Sequence, residues 1–493
     1  MDVDVCSNFI YTEGAVLVDS LLSADITGGD GGLCSPPAIT SGTFAFPKPK
    51  PVNATIPNLN GTLVVVLPLS NWHVDGQYTT RSEAMYNKAL CCRKYANSHA
   101  NGDYNCDAPP KLATSMLDYV RSVANISFGI MAGDILPHDA WFDTPENIIP
   151  QLKAAFDAMA IIKAKIYPAI GNLEACPLKY VPQRIFDALF VQELWILHPQ
   201  PHPGLRIVSL NTNFCYIMNF YLYGHTAEYD PRSEMQWLIQ QLQAAEDIGE
   251  RVWVIGHIPP SQVDCINNWS SLYRQVVARY SPHVITEQFF GHSHYDEFSL
   301  TYGLGGKSAQ NAVSTSWIRP SVTPYTDLNP AFRVYKVDTK SWNVFESLTY
   351  VADLNMSASW DATDSSPNWY LEYSARQTYS TYVPIAADQP LSAGWWHNAT
   401  NVLESNPAAF KQYWSLRGHS ANRLPDLRLH ARMRSEICSS VVVPLKKRDD
   451  DYSHDASAAG ADMSPNLAAS VITGIRSLSE LRPNAKPWNK KLC

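Results

Sequence analysis

Gly133-Asp134-Ile-Leu-Pro-His138-Asp139 is the stretch whose reading decides how this chain folds. It follows Phe128–Ala132, an apolar, β-favouring run, and so reads as a loop at the carboxyl end of a strand. Three further stretches repeat the arrangement: Gly171-Asn172 after Tyr167–Ile170, Gly256-His257 after Val252–Ile255, and Gly291-His292-Ser293-His294 after Ile285–Phe290. An α/β sheet presents ligands from loops at the carboxyl ends of its strands. Asp, Asn and His are oxygen and nitrogen donors suited to Zn, Mn or Fe. One such dipeptide is uninformative. Four in this order, all at strand ends, point to a metal centre.

Between these loops the apolar spacing is helical. Ile148–Lys165 places Leu152, Phe156, Met159 and Ile162 on one side. Ser233–Ile248 has Ser233 as an N-cap candidate, Trp237, Leu238, Leu242 and Ala245 as its buried face, and Gly249 as a stop. Val252–Ile255 then returns as a strand, which gives βαβ order and a layered α/β sandwich.

At 493 residues the chain is long enough for one large domain plus accessories, and 45% hydrophobic residues predict a sizeable core. The formal net charge of −8, without a dominant basic patch, argues against a nucleic-acid partner. Only 17% of residues are charged, while 11% are aromatic, a balance that leans towards an extracellular enzyme. Six Asn-X-Ser/Thr sequons, at Asn53, Asn60, Asn125, Asn268, Asn355 and Asn398, favour disulfides over free thiols among the ten cysteines. Met1-Asp-Val-Asp-Val-Cys6 lacks the basic and apolar regions of a signal peptide, so the expectation is a start other than the native one. No apolar run reaches the ~20 residues of a spanning helix.

The order of the four loops resembles the calcineurin-like metallophosphoesterase superfamily. Leu205-Arg-Ile-Val-Ser-Leu-Asn-Thr-Asn213, Gln240-Gln-Leu-Gln-Ala-Ala-Glu-Asp247, Gly256-His-Ile-Pro-Pro260, Phe289-Phe-Gly-His-Ser-His294 and Leu328-Asn-Pro-Ala-Phe-Arg-Val-Tyr335 are similar to the acid sphingomyelinase, or sphingomyelin phosphodiesterase, family. The resemblance runs from about Thr62 to about Cys438. It implies a metallophosphoesterase sandwich of mixed sheets flanked by helices, with a helical C-terminal subdomain. It also implies two zinc ions, bridged by Asp134. His73 and His294 complete one ion; Asn172, His257 and His292 complete the other. It further implies Cys92–Cys106 and Cys215–Cys265 pairs, and a phospholipid or other phosphodiester as substrate.

Two positions depart from the family. Asn71 stands where the family has Asp, so the His73/His294 ion is expected to be weakly held, with an uncharged amide oxygen as its remaining donor. Leu173 stands where the family has the His that protonates the leaving alkoxide. General acid catalysis contributes about 10²–10⁴-fold, and its loss should cost on that order. His138 is the other candidate acid; the plainer alternative is a surface His bonded to Asp139. Trp141, Tyr295 and Trp395 are aromatics that could box a quaternary ammonium. Pro68 is unexpected inside the first strand, read at Thr62–Leu67, because it lacks a ladder donor.

The expected organisation is a truncated saposin-like remnant over 1–34, a Pro-rich linker over 35–60, the catalytic domain over 61–350, a helical C-terminal subdomain over 351–440 and a disordered tail over 441–493. Cys176–Gly204 is shorter than in the family and is expected to lack a strand before Arg206–Leu210. The sequence leads to a secreted or lysosome- or vacuole-like lumenal, monomeric phosphodiesterase that hydrolyses sphingomyelin with reduced activity, peripheral membrane contact being possible. A catalytically silent relative that binds metal and phospho-head groups or lipid surfaces, and a nucleotide phosphodiesterase, are the alternatives.

Overall fold

Valine and leucine alternate with few polar interruptions over Leu63–Leu69, and this run forms β1, which ends two residues beyond the expected strand. The computed structural model describes residues 42–419, apart from 55–59, 83, 85–91, 94–99, 101, 141–143, 175–195, 200–201, 220–221, 223–228 and 304. The expectations for residues 1–34, for Trp141, for most of 176–204 and for the tail lie outside these residues. After β1 the chain runs through α1 (Pro110–Val123), β2 (Phe128–Ala132), α2 (Pro145–Met159) and β3 (Ile166–Ala169). It continues through β4 (Ile196–Leu197), β5 (Leu205–Ser209), α3 (Glu234–Ile248), β6 (Arg251–Ile255), α4 (Asn267–Tyr280), β7 (Ile285–Phe290), β8 (Glu297–Tyr302) and β9 (Ala312–Ile318). The last elements are β10 (Ala331–Asp338), β11 (Val344–Ala352), α5 (Ser357–Ala362), β12 (Trp369–Ser374), α6 (Ala375–Ser380), α7 (Ala393–Ser405) and α8 (Pro407–Gly418).

Two mixed six-stranded sheets result, in the orders β12-β11-β10-β1-β2-β3 and β4-β5-β6-β7-β9-β8. Strands β1, β2 and β3 are parallel, as are β5, β6, β7 and β9. The helices between parallel strands cover the outer faces, which is why those strands read as continuous apolar runs. Val66, Phe128, Ile130 and Tyr167 of the first sheet meet Ile207, Trp253, Ile255 and Phe289 of the second in the central core. Leu112, Met116, Leu152 and Met159 pack helices α1 and α2 on the first sheet's outer face; Leu238, Leu242, Trp269 and Val276 pack α3 and α4 on the second's. The architecture is therefore the layered α/β sandwich of mixed sheets flanked by helices.

Local chemistry departs from the sequence reading in four places. Ser233 starts α3 but sits in the left-handed region and makes no side-chain cap bond. The cap is Asp230, whose carboxylate accepts the backbone N–H groups of Met235 at 2.9 Å and Gln236 at 3.0 Å. Pro68 is tolerated because β10 stops pairing with β1 at Val66, so Pro68 has a neighbour only in β2. Residues 196–197 do form a strand before β5, though one of only two residues, antiparallel to it. The 351–419 segment is not wholly helical: β12 adds to the open edge of β11, anchored by Trp369, whose Nε1 donates to Ser115 Oγ at 3.1 Å. Helices α7 and α8 pack their aromatics, Trp396 and Tyr413, into the central core against Phe298 of β8. Both expected disulfides, Cys92–Cys106 and Cys215–Cys265, are present.

Candidate metal centre

The loops leaving β1, β2, β3, β6 and β7 converge at one end of the sandwich, where the two sheets' carboxyl ends face each other. They are backbone-tight. A Cβ on Gly171 would overlap the Asp134 carboxylate, and one on Gly291 would overlap Ser70 Oγ. Asn71, His73, Asp134, His292 and His294 all adopt positive φ, between 41° and 69°. Non-glycine residues rarely do so, and such conformations cluster at functional sites where the surroundings hold them. Glu174 supplies much of that hold. Its buried carboxylate accepts N–H groups from Gly171 (2.6 Å), Asp134 (3.0 Å) and Ile135 (2.6 Å), and so ties the β2 and β3 loops together. Asn213 Nδ2 donates to the Gly171 carbonyl at 3.0 Å from the second sheet.

The structure gathers His73, Asp134, Asn172, His257, His292 and His294 in this cleft, all buried. Asp134 Oδ2 lies 3.1 Å from His257 Nε2 and 3.7 Å from His73 Nε2. Its Oδ1 accepts the Leu173 N–H at 3.0 Å. Burial pushes the Asp134 carboxyl up, but His257, His73 and the Leu173 N–H outweigh it and leave it well below the usual carboxylate range. His257 Nε2 also lies 3.0 Å from Asn172 Oδ1. One ligand atom from each of Asp134, His257 and His292 falls within a 4.8 Å span.

The hydrogen-bond partners fix where the lone pairs point. His73 Nδ1 faces the Leu136 carbonyl at 2.9 Å and His257 Nδ1 the Ala132 carbonyl at 2.6 Å. A carbonyl only accepts, so each Nδ1 carries a hydrogen and each Nε2 is the atom turned into the cleft. His294 Nδ1 lies 3.5 Å from the Tyr325 carbonyl in the same sense. Burial, then the nearby His138, hold the imidazoles of His73 and His294 down, His294 to about 3, so both stay neutral. Two lone pairs, at His73 Nε2 and His294 Nε2, then face each other at 3.2 Å. That is repulsive unless a cation lies between them. Nitrogens on one tetrahedral zinc stand about 3.3 Å apart, given Zn–N of ~2.0–2.1 Å. His257 Nε2 faces the Asp134 and Asn172 oxygens, at 3.1 and 3.0 Å. His292 Nε2 lies 3.1 Å from Asp264 Oδ2, a carboxylate partner of the kind that orients metal-binding imidazoles. The donor set fits divalent cations.

Three expectations change. Asn71 does not offer its amide oxygen: Oδ1 accepts the His292 N–H and the Ser70 hydroxyl, each at 3.1 Å, while Nδ2 is buried without a partner. Turning the amide over would set N–H against N–H. His138 is no surface residue and is not bonded to Asp139: it is 7% exposed and bound to Asp107, while Asp139 is taken by Arg93. Of the three candidate aromatics, the two among the described residues, Tyr295 and Trp395, are engaged in packing. Arg417 already covers the Tyr295 ring at 3.7 Å, and Trp395 packs on Trp396 with its Nε1 on the Val383 carbonyl. Leu173 is fully buried in the apolar cluster that contains Leu69, Ile135 and Ile148. Sequence reasoning missed Asp107, Glu174 and Asp264. Only Glu174, two residues beyond Asn172 in the same loop, carried a signal that could have exposed it.

No protein-family model matches the chain. Sphingomyelin phosphodiesterase B of Dictyostelium discoideum is 33% identical over 490 residues, covering 90% of this chain and 72% of the relative. The chain belongs to the sphingomyelin phosphodiesterase family. The Homo sapiens sphingomyelin phosphodiesterase is 31% identical over 400 residues, and the match spans 72% of this chain and 60% of that enzyme. Among solved structures, a dimetal phosphatase from Danio rerio matches with 13% identity and a TM-score of 0.37, over 58% of this chain and 95% of that one. In this chain the acidic and imidazole side chains gather in the cleft at the sheet ends.

Proposed function

We propose that this chain is a zinc-dependent phosphodiesterase that hydrolyses sphingomyelin to ceramide and phosphocholine, at a rate held down by Asn71 and Leu173. The observation that carries the reading is the convergence of imidazole nitrogens and one carboxylate, that of Asp134, on a single cleft. Two bound divalent ions would polarise the phosphoryl oxygens of an in-line displacement. His73 and His294 would hold one ion and Asn172, His257 and His292 the other, with Asp134 shared between them. The N–H of Leu173 and the carboxylate of Glu174 keep Asp134 aimed. His138 donates a proton to the departing oxygen, the role that Leu173 cannot fill. A secreted or lumenal location accords with the two disulfides and with the exposed sequon residues Asn53, Asn60, Asn125, Asn355 and Asn398. Among the described residues no helix is long and apolar enough to cross a membrane.

A silent relative that binds metal and phospho-head groups is the second reading. The reversed amide of Asn71 and the apolar burial of Leu173 favour it. Assays of purified protein with added zinc, on sphingomyelin, on a nucleotide phosphodiester and on bis-p-nitrophenyl phosphate, separate the readings. Turnover of sphingomyelin is the expected result. Turnover of the nucleotide alone would reassign the substrate; turnover of none, with zinc bound, would establish the silent relative.

A further inference from the structure

Asp107 follows Cys106 directly and is 1% exposed. One oxygen of its carboxylate accepts the His138 backbone N–H at 2.8 Å. The other faces His138 Nδ1 at 2.7 Å and accepts Thr323 Oγ1 at 3.4 Å. A buried carboxylate opposite Nδ1 places the hydrogen on that nitrogen, and Nε2 is the atom turned away from Asp107. The His138 ring stacks on His73 with centroids 3.9 Å apart and planes 22° from parallel. Two imidazoles on one tetrahedral ion stand with ring centres about 5 Å apart, given Zn–N of ~2.0–2.1 Å. His73 and His294, at 5.0 Å, have that spacing; His73 and His138 do not. Ligand nitrogens of His73, His138 and His294 lie within 4.8 Å of one another, and His138 is the ring that stacks on His73 and is gripped by Asp107.

A second grip reaches the same place. Arg93 follows Cys92, the other half of the Cys92–Cys106 disulfide. Its guanidinium forks onto Asp75 at 2.7 and 2.9 Å and reaches Asp139 at 3.0 Å. The residue after each half-cystine thus holds one member of the His138-Asp139 pair.

We propose that Asp107 is the positioning residue for His138, aiming Nε2 at the leaving oxygen, and that the Cys92–Cys106 bridge, through Arg93 and Asp107, fastens this pair to the site. The proposal rests on the phosphodiesterase reading. Water attacks phosphorus to form the new P–O bond and gives up a proton to solvent; as the P–O bond to the leaving group breaks, its electrons stay on that oxygen and take the proton from Nε2. The imidazole is left neutral with Nδ1–H still on Asp107, and water returns the proton.

The test compares the Asp107→Asn and Asp107→Glu variants with the parent on two phosphodiesters, one with an alkyl and one with a p-nitrophenyl leaving group. An aryl oxide departs without a proton; an alkoxide does not. In Asp107→Asn, kcat for the alkyl substrate should fall about 10²-fold further than for the aryl one, with KM and zinc content unchanged. Asp107→Glu should recover part of the alkyl rate. Equal losses on both substrates would overturn the positioning role. Should the parent cleave neither substrate, the phosphodiesterase reading fails, and a crystal structure of Asp107→Ala decides the geometric claim by itself. The His138 ring should leave its stack on His73; a ring still in place would refute the proposal.

Discussion

Asn71 differs from the aspartate its family uses by one atom, yet that atom changes what the site can hold. An aspartate would accept the His292 N–H with one oxygen and offer the other to an ion. Here the second position is an N–H₂ group, buried and unpartnered. Leaving a buried donor unsatisfied costs about 1–3 kcal/mol, so the substitution also weakens the fold locally. Asn71→Asp should therefore raise tightly bound zinc from about one ion per chain towards two, read by elemental analysis after exhaustive dialysis. Two ions already held by the parent would contradict this. Leu173→His carries the opposite expectation from a simple repair. Position 173 is enclosed by leucine and isoleucine, and an imidazole there without a partner costs about 1–3 kcal/mol. The variant should melt at a lower temperature and gain little rate, unless the loop rebuilds to turn the ring into the cleft.

At the scale of elements, the site depends on loops pressed backbone to backbone. Gly171→Ala would drive a methyl group into Asp134. It should lower zinc affinity and melting temperature together, whereas Gly249→Ala, at the solvent-open end of α3 with nothing near its Cβ, should alter stability alone, through its left-handed φ of 74°. The N-terminus of α3 gives a second check. Asp230→Ala removes the acceptor for two helix N–H groups and should cost about 0.5–2 kcal/mol in chemical denaturation, with Ser233→Ala near neutral. The sequence reading favoured the serine because capping statistics describe the residue next to the helix. The tertiary fold turned Ser233 to φ 57° and brought Asp230 over the helix end instead.

For the whole molecule, two buried carboxyls, Glu234 and Glu287, set a pH dependence. Burial pushes Glu234 up to about 8 and Glu287 up to about 7, from an ordinary 4.5. Between 4.5 and those values the native protein keeps protons that the unfolded chain has released. Stability then falls as pH rises across that window. At the acid end the sign reverses. Glu246, against Arg279 and His283, is lowered to about 2, and its contribution is lost as pH falls from 4.5 through 2. Above pH 6.5, where His73 and His294 no longer oppose the trend, chelator-treated protein should melt lower as pH rises to 8, and Glu287→Gln should flatten the start of that slope. A melting temperature rising from pH 6.5 to pH 8 would contradict both assignments.

The strand-end loops, their order and the apolar periods between them were sufficient to read the sandwich and its cleft, because burial on both faces writes itself into continuous apolar strands and one-sided helices. The resemblance also singled out positions 71 and 173 as departures from the family's pattern. The sequence did not determine which way the Asn71 amide faces, which carboxylate holds His138, or what covers Tyr295. Those depend on Ser70 meeting His292, on Asp107 meeting His138 across 31 residues, and on Arg417 reaching back from α8. Such contacts join side chains distant along the chain, and hydrogen-bond direction is settled only when both partners are fixed in space.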